Sequence, residues 1–207
     1  MKPMKTPDKI DLYQLHKAEY AAPKKPVLLE IKPATYLAIS GQGAPGGEIF
    51  TDKIGALYGA AFTIKMTRKF AGKQDYAVCK LEAQYWCDDG DFERTPKEKW
   101  HWKLLIRTPD FIGPEDLKQA AATLMKRGKS PTVQEVALEK LSEGLCAQML
   151  HVGPYDREGE TIAPMCAFAQ KSGYQFHGRH HEIYLSDPRR AAPEKLKTIL
   201  RHPLKKS

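Results

Sequence analysis

The sequence predicts an α+β fold of two β-α-β-β repeats about a pseudo-twofold axis, with a ligand cleft between them. Three observations carry this. The stretch from Val27 and the stretch from about residue 138 each run strand, glycine turn, helix, then two further strands. Between them, GPEDLKQAAATLMKRGKS reads as a connecting helix with Pro114 near its first turn and Gly128 near its end, the usual asymmetry of helix termini. Two units of one pattern generally face each other across an axis.

Residues 1–26 form an N-terminal arm, with six lysines and Pro3, Pro7, Pro23 and Pro26 around one short helical stretch, DLYQLHKAEY. VLLEIKPATYLAIS is extended structure interrupted at Pro33, and GQGAPGG turns. Ile49, Phe50, Ile54, Leu57, Tyr58, Ala61 and Phe62 then recur at helical spacing. DYAVCKLEAQYWCDDGD reads as a strand ending in an acidic turn, and KWHWKLLIRTPDF as its antiparallel neighbour. In the second unit GLCAQMLHVGPYD is a strand, ETIAPMCAFAQKSG a helix whose Pro164 sits where no intrahelical donor is needed, and HHEIYLSDP and KTILRHPL are strands. The expected organisation is the arm over 1–26 and a single domain over 27–207. Repeat one spans about 27–110, the connecting helix about 113–130 and repeat two about 138–204.

Reading the repeats as symmetric aligns CKLEAQYW with RHHEIYLS, each with a glutamate near its middle, Glu82 and Glu182. Strand alternation puts Glu82 on one face with Gln84 and Trp86, and Ala77, Cys79, Leu81 and Ala83 on the other. Glu182 shares its face with Tyr184. The small apolar faces are expected to accept the helices, leaving faces of Glu, Tyr and Trp to line the space between the units. A buried carboxylate is costly unless it finds a partner or a proton. A cationic aromatic ligand is one counterpart; a bound water or an internal Tyr or Arg donor is the other.

The totals exclude several classes. At 207 residues, 42% hydrophobic and 28% charged, the composition is that of a soluble globular protein. No run reaches the roughly 18 apolar residues of a membrane span, and the N-terminus lacks the apolar stretch of a signal peptide, so cytoplasmic residence is expected. The net charge of +8 divides into +3 over 1–25, +6 over 189–207 and −1 between them, so nucleic-acid binding is not expected of the folded middle. Cys79, Cys87, Cys146 and Cys166 are scattered and read as buried free thiols. GQGAPG matches a dinucleotide fingerprint literally, yet no parallel β-α-β series follows, and it reads as a turn equivalent to Gly153-Pro154. In HGRHHE, His180 and Glu182 share a strand face while His181 points away, and no second cluster joins them; neither metal nor cofactor is expected.

At these residues the chain resembles a known family. MLHVGPYD, a helix, and HHEIYLSDPRRAAPEKLKTILRHPL closely resemble the C-terminal half of GyrI-like small-molecule-binding proteins, a family that includes the DNA gyrase inhibitor protein and is similar to effector domains of multidrug-responsive activators. KLEAQYW, WHWKLLIRTPDF and LSEGLCAQ resemble the corresponding segments, so the likeness covers about residues 27–204. It implies a central cleft with Glu182 as its acid and Tyr155 and Trp86 beside it. It also implies binding of flat amphipathic or cationic small molecules, with hydrolytic opening of the cyclopropane ring of alkylating drugs in some stand-alone members; no helix-turn-helix is recognisable upstream. On that reading Glu182 and Tyr155 are the catalytic candidates, with Glu82, Trp86, Trp102, Tyr58 and Tyr184 as ligand contacts. The alternative is a protein-interaction module that inhibits or protects a target such as DNA gyrase.

Overall fold

The structure, a computed structural model, describes residues 9–88, 90–92 and 94–207. The first eight residues of the expected arm, and Asp89 in the acidic turn, lie outside the described residues.

The chain forms β1 (Val27–Ile31), β2 (Ala34–Gln42), β3 (Glu82–Trp86), β4 (His101–Arg107), β5 (Ala137–Leu141), β6 (Gly144–Val152), β7 (Tyr174–Phe176), β8 (His180–Tyr184) and β9 (Lys197–Lys206). Its helices are α1 (Leu12–Leu15), α2 (Glu48–Phe70), α3 (Pro114–Lys126) and α4 (Gly159–Lys171). None of them is long and apolar enough to cross a membrane. Local chemistry explains the ends. Asp11 caps α1 by accepting from the Tyr13 and Gln14 amides, and Asp116 accepts from the Gly113 amide at the start of α3. Gly72 and Gly128, both at φ +67°, turn the chain after α2 and α3.

The strands join one antiparallel sheet in the order β1-β6-β9-β8-β3-β4-β2-β5, with β7 added beside β9. Exchanging β1 for β5, β2 for β6, β3 for β8 and β4 for β9 reverses this order onto itself, so the pseudo-twofold axis passes between β3 and β8. Each repeat lends its first strand to the other: β1 pairs with β6 and β5 with β2. The two glycine turns are equivalent, since the Gly43 amide donates to the Trp100 carbonyl and the Gly153 amide to the Leu196 carbonyl.

That equivalence corrects the expected alignment of the glutamates. With Trp100 matched to Leu196, Leu105 of β4 matches Arg201 of β9. Leu105 lies opposite Glu82 and Arg201 opposite His181. Glu82 is therefore the counterpart of His181, and Glu182 the counterpart of Ala83. The offset is one residue, and in a strand one residue reverses the face.

All three long helices lie on one side of the sheet. Leu57, Ala60 and Ile64 of α2 pack with Leu37, Ile39, Leu104 and Ile106, and α3 lies alongside α2 through Ala120 and Leu124. Met165 of α4 packs with Ala147 and Leu200. Each fully buried Leu or Ile side chain stabilises the fold by about 1.5–3 kcal/mol. Neither α2 nor α4 is centred on β3 and β8, the pair at the axis. The opposite side of the sheet carries the arm, whose Tyr20 packs on Ile183 and Ile199.

Three further expectations change. The strand through Glu82 begins only there, because the chain before it meets the arm instead: the Ile10 amide donates to Asp75 and the Ala77 amide to Ile10. Pro164 is the sixth residue of α4, beyond the donor-free first turn, because the helix begins at Gly159, one residue earlier than its sequence suggests, directly after the turn at Tyr155–Arg157. Of the four thiols Cys166 is only partly buried, while the other three are buried.

Trp102 is fully enclosed, with its indole N–H donating to the Gly43 carbonyl and its ring edge-on to Phe50. The ring lies across Gly41, where an added Cβ would come within 2.2 Å of it. Gly41→Ala is accordingly expected to lower the unfolding free energy by about 1–3 kcal/mol through overpacking. An unchanged urea midpoint would show that the indole can move aside.

Candidate functional site

On β8 the side chains of His180, Glu182 and Tyr184 point to the helix side, because Glu182 lies opposite Ala83 on β3 and Leu200 on β9, both packed beneath helices. Tyr85 joins them from β3. Its hydroxyl and that of Tyr184 lie 2.7 Å apart, a hydrogen bond between two residues equivalent across the axis. Tyr155, on the turn before α4, meets Tyr184 edge-on at 5.8 Å between ring centres and remains 38% exposed. Glu158, immediately before α4, reaches the same point. His180 Nε2 is 3.4 Å from Glu182 Oε1 and 3.9 Å from Glu158 Oε2. Glu158 and Glu182 are 7% and 8% exposed, so the two carboxyls and the imidazole form a nearly enclosed cluster.

Electrostatics follow from that enclosure. Burial pushes the Glu158 carboxyl up, the neighbouring Glu182 pushes it further, and His180 opposes; the outcome is about 8. Burial alone would strip the proton from His180, but the two glutamates outweigh it and raise its pKa to about 9. Burial, with Glu182 and Glu158, lifts the Tyr155 phenol to about 12, so it stays protonated and can donate. Glu158, His180 and Glu182 each offer one ligand atom, all within 4.8 Å of one another, and could hold a divalent cation at the expense of the histidine proton.

The structure divides the residues expected at the site. Glu182, Tyr155 and Tyr184 are brought together. Tyr58 lies on α2, stacked on Phe62. Trp102 is sealed beneath α2, where no ligand can stack on it. Trp86 and Glu82 lie on the other side of the sheet. Trp86 there stacks on His101, with the Arg179 guanidinium 3.7 Å over its ring. Glu82 there accepts from the Tyr20 hydroxyl of the arm and pairs with His181 Nε2 at 3.1 Å. The internal-donor alternative thus holds for Glu82.

Comparison with known proteins decides the family. The model of the GyrI-like small molecule binding domain matches residues 112–205. An uncharacterized conserved protein from Listeria innocua is 37% identical with a TM-score of 0.89, the match covering 95% of this chain and all of that one. The chain belongs to the GyrI-like family. A second Listeria innocua structure similar to this GyrI-like protein, described as a hydrolase, is 36% identical with a TM-score of 0.86 over 95% of this chain and 100% of that one. The EcmrR C-terminal domain shares the fold at 11% identity and a TM-score of 0.58, over 88% of this chain and 98% of that one. No curated protein matches the sequence.

In this GyrI-like protein two site residues escaped the sequence. Glu158 had a signal, the acidic run YDREGE directly after the Gly-Pro-Tyr turn. Nothing local showed that it folds back over β8. His180 was visible as sharing a face with Glu182, and its role depends on Glu158. Glu182 has a protein group beside it in His180, a neighbour that is neither of the Tyr or Arg donors expected.

Proposed function

We propose that this GyrI-like protein binds flat, amphipathic small molecules over Tyr85, Tyr184 and Glu182 and hydrolyses a strained ring conjugated to a carbonyl. The observation that carries the reading is the enclosed Glu182 carboxyl with Tyr155 at its rim, on the helix side of the central strand pair. The 36% identical hydrolase from Listeria innocua supports it.

The substrate class is a spirocyclopropyl-cyclohexadienone. Water oxygen bonds to a ring methylene, and the carbon–carbon bond from that methylene to the spiro carbon breaks. Its electron pair enters the dienone, which becomes aromatic, and the charge arrives on the carbonyl oxygen. Tyr155 donates its proton there, Glu182 takes the proton lost by the water, and solvent returns that proton to Tyr155. The rings of Tyr85, Tyr184 and Tyr155 flank the planar ligand.

The test is incubation of that dienone with the protein, followed by absorbance and by mass detection of the hydroxyethylphenol. Turnover well above the buffer rate is expected; a rate equal to buffer, together with no thermal shift from the dienone, would remove both halves of the proposal.

A further inference from the structure

Glu158 carries a polar atom that the fold does not satisfy. Its carboxyl Oε1 is fully enclosed and has no hydrogen-bond partner among the described residues, and the residue is 7% exposed. Its other oxygen, Oε2, faces His180 Nε2 across 3.9 Å, too long for a hydrogen bond. His180 Nε2 is enclosed in the same way and makes no hydrogen bond, although Glu182 Oε1 stands 3.4 Å away. Buried groups of this kind are costly to leave unbonded. Three donor atoms thus converge within 4.8 Å of one another without bonding to each other. We propose that Glu158, His180 and Glu182 form a divalent metal site of the zinc class, with a remaining coordination position open to water or a ligand. Ion binding here goes beyond the hydrolytic reading and does not depend on it.

The donors come from two separate segments. His180 and Glu182 lie two apart on β8, on the same face of a strand whose register is fixed by β3 and β9. In the sequence HGRHHE lacked a second donor cluster; the turn before α4 brings Glu158 to it. Bond lengths of about 2.0–2.2 Å place neighbouring ligand atoms of a tetrahedral zinc ion about 3.4 Å apart. His180 and Glu182 already stand at that separation, and Glu158 at 3.9 Å reaches it by a small rotation of its side chain.

The donor types select the ion. One imidazole and two carboxylates without a thiolate suit Zn²⁺, Co²⁺ or Mn²⁺ rather than Cu(I), and three protein donors are too few for calcium, which takes about 6–8 oxygens. Two ligating carboxylates balance the ion, so the enclosed site carries no net charge. A proton on His180 does less, because one N–H on Nε2 points at one carboxylate and leaves the other without a donor. Glu182, ligating through one oxygen, keeps the other for the proton of an attacking water.

The test uses the full chain, freed of metal by dialysis against a chelator and titrated with Zn²⁺ by calorimetry and with Co²⁺ by visible absorption. One ion per chain is expected, with a Kd of about 1 μM or tighter, a Tm that rises with metal and an intense Co²⁺ d–d band. Glu158→Gln and His180→Gln should each weaken binding at least about 100-fold, more than the loss of a group that only supports a ligand. X-ray absorption of the Zn²⁺-loaded wild type should show one imidazole among oxygen donors and no sulfur. Three results would overturn the site: no binding at about 1 mM Zn²⁺, an affinity that both substitutions leave unchanged, or a shell with more than one imidazole, which would put the ion on other histidines. Should both variants fail to fold, X-ray absorption of the wild type still decides. None of these measurements uses the dienone, so failure here leaves the hydrolytic reading standing.

Discussion

Glu182→Gln is expected to cut hydrolysis of a spirocyclopropyl dienone by about 10²- to 10⁴-fold, the range that a positioned acid–base group contributes. Glutamine keeps the size of the side chain, whose oxygen now lies 3.4 Å from His180 Nε2. What it cannot do is take the proton from the attacking water. The loss should therefore fall on kcat, with KM changing little, because the ring contacts of Tyr85, Tyr184 and Tyr155 are untouched. Tyr155→Phe should behave differently, slowing turnover through the carbonyl oxygen while the proton acceptor remains. Single-turnover kinetics on the two variants, with circular dichroism to show that both fold, separates these roles. Full activity in Glu182→Gln would move the chemistry elsewhere.

Arg201→Leu should lower the unfolding free energy by about 3–5 kcal/mol, the range for breaking a buried ion pair from one side. Arg201 is 1% exposed. Its guanidinium donates to Gln148 Oε1 at 2.8 Å, to Glu143 Oε2 at 3.3 Å and to the Glu19 carbonyl at 2.7 Å. Burial alone would raise the Glu143 carboxyl, but His181 and Arg201 outweigh it and hold it at about 2, so it is charged at every ordinary pH. Leucine fills the space and leaves that carboxylate with His181 and the Gln84 amide but without its cation of fixed charge. It also leaves the Glu19 carbonyl with the Gln148 amide as its one remaining side-chain donor among the described residues, so the arm should loosen along with the global loss. Urea unfolding gives the first quantity, and amide exchange near Glu19 and Tyr20 gives the second. A variant as stable as wild type would mean that water replaces the guanidinium.

The contrast between these two sites shows how far the residues themselves could be read. Strand, glycine turn and helix were legible twice over, and the Gly43 and Gly153 turns proved equivalent as their sequences suggest. Turn and cap chemistry acts over a few residues, so it is written in consecutive letters. The partner of each carboxylate is not. Glu82 and Glu182 look alike in CKLEAQYW and RHHEIYLS, yet one is closed by Tyr20 and His181 under the arm and the other faces the helices beside His180 and Glu158. Trp86 and Trp102 were separated from Glu182 in the same way, one by the face of its strand and one by enclosure under α2.

By itself the sequence determined most of the elements and their repetition, because these depend on periodicity and on local turn and capping preferences, and its segments resembled the family that comparison then showed. Only the tertiary structure decided the exchange of first strands, the one-residue offset between the repeats and the gathering of Glu158, His180 and Glu182. Those follow from pairings between segments far apart in the chain, where a shift of one residue turns every side chain to the other side of the sheet.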